Sequence, residues 1–169
     1  MEKLNAIEFV DKLKELFGSF NISDEQEYLN EILIPESKNK GLNLTGDFLN
    51  DLHTNYDLSG RTIGFDFLEK LNENSDFVFF GLSDPFYMGL DKKSGEIIMY
   101  DMEYDKVHLR LAENIDQFVQ AILLIFEYGL PGWINEKQYS QDDRLLLLSK
   151  IKKVVNQNYL TYYEQSYGN

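Results

Sequence analysis

The sequence predicts an α+β fold, in which a single, mostly antiparallel sheet of about five strands is packed by N-terminal and C-terminal helices. Three observations predict it. Apolar residues recur every three or four positions near both ends of the chain, which is typical of amphipathic helices. In the middle they alternate with polar residues or form short aromatic runs, which is typical of strands. Turn-forming residues separate those runs at short intervals.

The 169 residues suit one domain, and we expect a single domain over 1–169. Hydrophobic residues make up 43% of the chain, a composition that supports a packed core rather than disorder. Residues 2–17 are predicted to form the first helix, because their apolar residues fall on one broad face. A short second helix must end at Pro35, since proline cannot continue a helix interior. The candidate caps of the second and third helices are Ser23, Asp24, Thr45 and Asp47.

Strands follow in the middle of the chain. Polar residues interleave with Ile63, Phe65 and Phe67, which favours a half-buried strand. Asp84-Pro85 is typical of a turn, and Asp91–Gly95 of a hairpin loop. By composition, residues 35–44 are predicted to be a loop and residues 55–61 a turn. The predicted strands are 62–68, 77–82, 86–90, 96–100 and 106–111.

A helix is predicted from Asn114, which with Gln117 three residues later forms a capping-box pattern. Its apolar face continues to about residue 128, and Gly129 and Pro131 are expected to end it.

The last predicted helix opens with a second capping box, formed by Ser140 and Asp143, and continues through Val155. After it the chain is rich in tyrosine, a residue favoured in protein interfaces. These side chains could face a partner or pack back onto the domain. They are Tyr159, Tyr162, Tyr163 and Tyr167.

The chain is strongly acidic, with 16 basic and 29 acidic residues and a net charge of -13. Such a field repels nucleic acid and anionic membranes and attracts basic partners, although acidity can also serve solubility alone. The chain has no cysteine, which excludes disulfides and thiolate catalysis. No apolar run approaches the ~20 residues of a membrane span, and the N-terminus lacks the pattern of a signal peptide. We therefore expect a cytoplasmic protein whose partner is a protein, with no nucleic acid and no membrane.

Catalytic motifs are missing from the sequence. The two histidines, His53 and His108, lie on different predicted elements and belong to no metal-binding pattern. There is no glycine-rich phosphate loop and no G-x-S-x-G elbow. We expect no catalytic residue, no metal and no cofactor, and hence no enzyme. An enzyme with a carboxylate site is the alternative from another class.

The candidate partner-facing residues lie in and around the turns of the predicted sheet. Asp101, Glu103 and Asp105 alternate, which could place them on one face of an extended segment. That face could bind a basic partner or Ca²⁺, or be a solvated turn, but the glycine and distal glutamate of a calcium loop do not follow. The candidates are Asp84, Tyr87, Asp91, Glu96, Asp101, Glu103 and Asp105.

Three runs, FFGLSDPFYMGLD, KSGEIIMYD and LAENIDQF, resemble the core of the SUKH superfamily, which includes yeast glucan-synthesis regulators and bacterial toxin-immunity proteins. The resemblance covers about 40–127 and leaves 130–169 as a helical C-terminal extension. It implies an α+β domain that is not an enzyme and that binds and neutralises a cognate toxin, often a nuclease. A scaffold or regulatory module of the same fold is the alternative. The matching residues are Gly89, Asp91, Gly95, Ile97 or Ile98, Tyr100, Ala112, Asn114, Ile115 and Phe118.

Overall fold

A computed structural model describes residues 3–38 and 41–168. Within these ranges five antiparallel strands form the main sheet, whose spatial order β3-β4-β5-β6-β7 follows the chain, and β1 and β2 form a separate pair. The strands are β1 (Glu36–Ser37), β2 (Tyr56–Asp57), β3 (Asp66–Glu73), β4 (Phe77–Ser83), β5 (Phe86–Asp91), β6 (Ile97–Asp101) and β7 (Lys106–Ala112). The helices are α1 (Ala6–Gly18), α2 (Tyr28–Leu33), α3 (Phe48–Asn55), α4 (Ile115–Asn135), α5 (Gln141–Ile151) and α6 (Thr161–Tyr167), with 3₁₀ turns at Asp24–Gln26 and Gln157–Tyr159.

One face of the main sheet, the inner face, packs against the helices in a common core. Phe9 of α1, Phe80 of β4, Phe126 of α4 and Tyr163 of α6 are each at most 2% exposed in this core. Burial of one such side chain stabilises the fold by about 1.5–3 kcal/mol. The N-terminal and C-terminal helices therefore share one core with the sheet, and the predicted α+β class is confirmed.

Helix caps account for several element boundaries. The first helix begins at Ala6 because Asn5 accepts hydrogen bonds from two backbone amides of its first turn. The predicted caps at Asp47 and Ser140 are confirmed, the latter with its full capping box. At α4, Asn114 caps the helix, but the side chain of Gln117 reaches the amide of Glu113, so the predicted box is wrong there.

The predicted end of the fourth helix is wrong, because α4 continues through Gly129 and Pro131 to Asn135. Proline cannot donate a backbone hydrogen bond and crowds the preceding turn. Here the hydroxyl of Tyr139 takes the place of a helical bond. It accepts from the amide of Gly132 at 2.8 Å and donates to the carbonyl of Tyr128 at 2.5 Å. The helix passes the proline because a remote side chain pairs these two backbone groups.

Other predicted boundaries also differ, and the first helix begins at Ala6 rather than at residue 2. Residues 62–65 fold back in a tight turn with Gly64 at φ 93°, so the strand begins at Asp66 and the prediction of 62–68 is wrong. The short second helix is split into a 3₁₀ turn and α2, and α5 ends at Ile151 rather than near Val155. The pair β1–β2 occupies segments predicted to be loop and turn.

Candidate protein-binding surface

Two turns and the start of a strand meet at one end of the main sheet. Strands β4 and β6 run in the same direction, because each is antiparallel to β5 between them. The β4–β5 turn (84–85) and the β6–β7 turn (102–105) therefore lie side by side. Strand β3 begins at the same end, since Asp66 pairs with Leu82. We call this end, formed by Asp66, 84–85 and 101–105, the turn edge.

The turn edge carries four carboxylates without a neutralising partner. Asp66, Asp84 and Glu103 are exposed and Asp101 is half-buried. Over the residues that the structure describes, no lysine or arginine forms an ion pair with any of the four. Lys106 also lies here, with its ammonium 5.1 Å from the centre of the Tyr104 ring. The turn edge is therefore a locally negative surface.

The alternating acids of the β6–β7 turn do not share one face of an extended segment. The carboxylate of Asp101 accepts hydrogen bonds from the amides of Glu103 and Tyr104, at 3.0 and 3.1 Å, and closes a tight turn. Asp105 has the left-handed φ of 49°. The prediction of an extended acidic face is wrong, because the aspartate bonds to its own backbone and bends the chain.

The carboxylate of Asp105 has a structural role. Its carboxylate accepts a 2.5 Å hydrogen bond from the hydroxyl of Tyr100, whose side chain is buried. That hydrogen bond, together with burial, raises the pKa of Tyr100 to about 12. Asp105 therefore fixes Tyr100, and of the three alternating acids Glu103 has the side chain most free to contact a partner.

The same turn presents two exposed apolar side chains that the sequence reasoning passed over. Met102 is 43% exposed and Tyr104 is 65% exposed. Both alternate with the predicted acids, and this interleaving of large apolar residues with charges in a turn was the signal that could have revealed them. Aromatic residues and methionine are enriched where proteins bind each other.

Tyr87 lies on the outer face of the sheet, within a cluster of aromatic rings. The Phe79 ring lies 5.9 Å from that of Tyr87 and 5.5 Å from that of Tyr100, and the Phe77 ring lies 5.0 Å from Tyr100. Gly89 provides the space, since a Cβ there would lie 2.9 Å from the Phe79 ring. Strand residues alone form this cluster within the described part of the chain.

Asp91 and Glu96 lie at the opposite end of the sheet, and both have structural partners. The amides of Lys93 and Ser94 donate to Asp91. Burial opposes ionisation of Asp91, but these hydrogen bonds outweigh it and hold its pKa below the ordinary value. Glu96 accepts from the Tyr159 hydroxyl at 2.6 Å and pairs with Arg110. The predicted partner-facing residues therefore lie at two opposite ends of the sheet and do not form one surface.

The C-terminal tyrosines pack back onto the domain. Tyr162 is 7% exposed and Tyr163 is fully buried, while Tyr159 and Tyr167 are half-buried against the core. Of the two predicted alternatives, packing against the domain is the correct one.

The two histidines lie in unrelated places. His53 is buried in α3, with Nδ1 2.9 Å from the carbonyl oxygen of Leu49. His108 is exposed on β7 and stacks on Phe86, with ring centres 4.1 Å apart. In the described ranges no three histidine or carboxylate side chains are grouped as metal ligands.

Within 3–38 and 41–168, no helix combines the length and the apolar character that crossing a membrane requires. Comparisons with protein-family models, with curated proteins and with solved structures found no match to this chain.

Proposed function

We propose that this chain is an immunity protein of the SUKH superfamily, which binds a basic toxin domain through the turn edge and neutralises it. The observation that carries the proposal is the composition of the β6–β7 turn. Over the described residues it presents exposed Met102 and Tyr104 beside Asp101 and Glu103, two carboxylates that form no ion pair. Apolar side chains supply contact area, and the carboxylates select a positively charged partner.

The charge of the whole chain supports the same partner. A net charge of -13 attracts a basic protein to this chain and accelerates their association at low ionic strength. Nuclease toxins carry basic clefts, because their substrate is a polyanion. A negative surface covering such a cleft excludes the nucleic acid without any chemistry by the inhibitor. We place this activity in the cytoplasm, where a nuclease would meet its substrate.

The proposal is tested with the purified protein and the toxin domain encoded immediately upstream. We expect a one-to-one complex by light scattering and loss of toxin activity at equimolar protein. The measured affinity should weaken as salt rises, since the attraction between exposed charges is screened.

Two results would contradict this function. An upstream gene without a toxin domain, together with no binding to toxin domains encoded nearby, would remove the partner. A complex that leaves the toxin fully active would favour a scaffold that recruits the partner without neutralising it.

A further inference from the structure

We propose that a cleft beside the turn edge binds an arginine side chain of the partner protein. The aromatic cleft lies between α2, the 62–66 segment, the β4–β5 turn and the last turn of α4, and its volume is about 530 Å³. Pockets for small ligands measure roughly 300–1,000 Å³, so an arginine and a neighbouring apolar side chain fit together. The role in partner binding rests on the proposed function, whereas the affinity of the cleft for arginine does not depend on it.

Two exposed aromatic side chains line the cleft. Tyr28 of α2 is 55% exposed and Trp133 of α4 is 39% exposed. The Trp133 indole lies close against the backbone of α4, since a Cβ on Gly129 would come within 2.8 Å of its ring. Its ring centre is also 6.0 Å from that of Phe126. The indole therefore packs against α4 while Trp133 stays 39% exposed, and tryptophan is a residue enriched where proteins bind each other.

The remaining lining is apolar on one side and acidic on the other. Ile32 of α2 is half-buried and contributes hydrophobic surface, backed by the buried Leu29 and Leu33. Asp66 and Asp84 contribute exposed carboxylates from the sheet side. An anionic ligand would be repelled here, and a purely apolar one would leave both carboxylates without a partner.

Arginine fits this lining better than the other side chains. Its guanidinium is planar, stacks on aromatic rings and pairs with carboxylates through two parallel hydrogen bonds. Its three methylene groups can lie along Ile32. Lysine carries the same charge, but its ammonium group is not planar, so it cannot stack on an aromatic ring or form two parallel hydrogen bonds with a carboxylate.

The cleft and the turn edge share residues, so one partner can use both. Asp66 and Asp84 belong to the turn edge and also line the cleft. A basic protein lying against the β6–β7 turn could therefore insert one arginine between the aromatic side chains and the two aspartates.

Trp133 reports occupancy of the cleft directly, because it is the only tryptophan in the chain. The probe is a capped leucine–arginine–leucine tripeptide, titrated into the intact protein while Trp133 emission and the indole N–H chemical shift are followed. We expect saturable changes that weaken with salt. The same tripeptide with citrulline, which keeps the shape and lacks the charge, should bind at least about fivefold more weakly.

Two double variants show where the arginine peptide binds. Asp66→Asn with Asp84→Asn should weaken the arginine peptide about 4- to 25-fold, if each exposed ion pair contributes two- to fivefold. Asp101→Asn with Glu103→Gln changes the net charge equally outside the cleft and should alter this affinity less than twofold. No saturable change in either signal, equal binding of the citrulline peptide, or equal effects of the two pairs would each overturn the inference.

These results separate the cleft from the proposed function. A toxin complex that forms while the arginine peptide leaves Trp133 unchanged refutes the cleft and keeps the function. Peptide binding without any toxin complex refutes the function and keeps the cleft.

Discussion

The hydroxyl of Tyr139 should be worth more to stability than a typical surface hydroxyl, and Tyr139→Phe tests this. The substitution keeps the ring, which stacks on Tyr128 with 4.2 Å between ring centres. It removes the hydroxyl that accepts from the Gly132 amide at 2.8 Å and donates to the Tyr128 carbonyl at 2.5 Å. The Gly132 amide and the Tyr128 carbonyl, on either side of Pro131, then lose this partner.

The magnitude follows from the number of bonds and their burial. Each hydrogen bond contributes about 1 kcal/mol net, and a polar group left unpaired costs about 1–3 kcal/mol when fully buried. Because Tyr128 and Gly132 are half-buried, water can partly replace the lost partner. We expect the free energy of unfolding to fall by about 1.5–3 kcal/mol, which lowers Tm by roughly 4–8 °C for a chain of this length.

Urea denaturation followed by Trp133 fluorescence measures the loss, since Trp133 lies on the turn that the hydroxyl supports. The m-value should stay unchanged, and the Gly132 amide should exchange faster with solvent. Tyr104→Phe is the matched control, because that side chain is 65% exposed, and its effect should stay within about 0.5 kcal/mol. A Tyr139→Phe loss no larger than that of the control would refute the role assigned to the hydroxyl.

Other substitutions give distinct expectations. Tyr163→Phe should leave stability unchanged or raise it, because the buried Tyr163 hydroxyl has no hydrogen-bond partner in the described structure; a loss above about 1 kcal/mol by urea denaturation would contradict this. Burial lowers the pKa of His53, so the folded state binds fewer protons there. Stability should therefore fall as pH drops from about 6.5 towards that lowered pKa, and His53→Gln should flatten this part of the stability–pH curve; an unchanged slope would count against it. Glu96→Gln should lower the free energy of unfolding by about 1 kcal/mol and change toxin affinity less than twofold, because Glu96 is bound to Arg110 and Tyr159. If the substitution weakens toxin binding without a loss of stability, Glu96 contacts the partner, as the sequence analysis predicted.

The sequence predicted the sheet well where local patterns decide the structure. Strands β4 to β7 follow from short apolar runs between turn residues, and these lie within two residues of their predicted bounds. Strand β3 was misplaced because its second half is polar. An edge strand is held by backbone hydrogen bonds on one side only and tolerates exposed polar residues, so Glu69 to Glu73 carry little periodicity.

The end of α4 could not be predicted from local sequence patterns, for a different reason. Gly129 and Pro131 are strong stop signals, and the hydroxyl that overrides them belongs to Tyr139, outside the helix. The same kind of non-local contact decides the candidate surface. Composition identified Asp105 and Glu96 as acids, but their hydrogen bonds to Tyr100 and Tyr159 join residues whose contact only the folded chain reveals.

The affinities of the toxin domain for two charge-matched variants of this protein show whether the turn edge is the binding surface. One variant carries Asp84→Asn, Asp101→Asn and Glu103→Gln at the turn edge. The other carries Asp11→Asn, Glu15→Gln and Asp142→Asn, which are exposed carboxylates on α1 and α5.

We expect the turn-edge variant to lose about 10- to 100-fold in affinity, as three exposed ion pairs of two- to fivefold each predict. The control variant should lose less than about threefold, through weaker long-range steering alone. Equal losses in both variants would mean that net charge rather than the turn edge attracts the partner, and this would contradict the account.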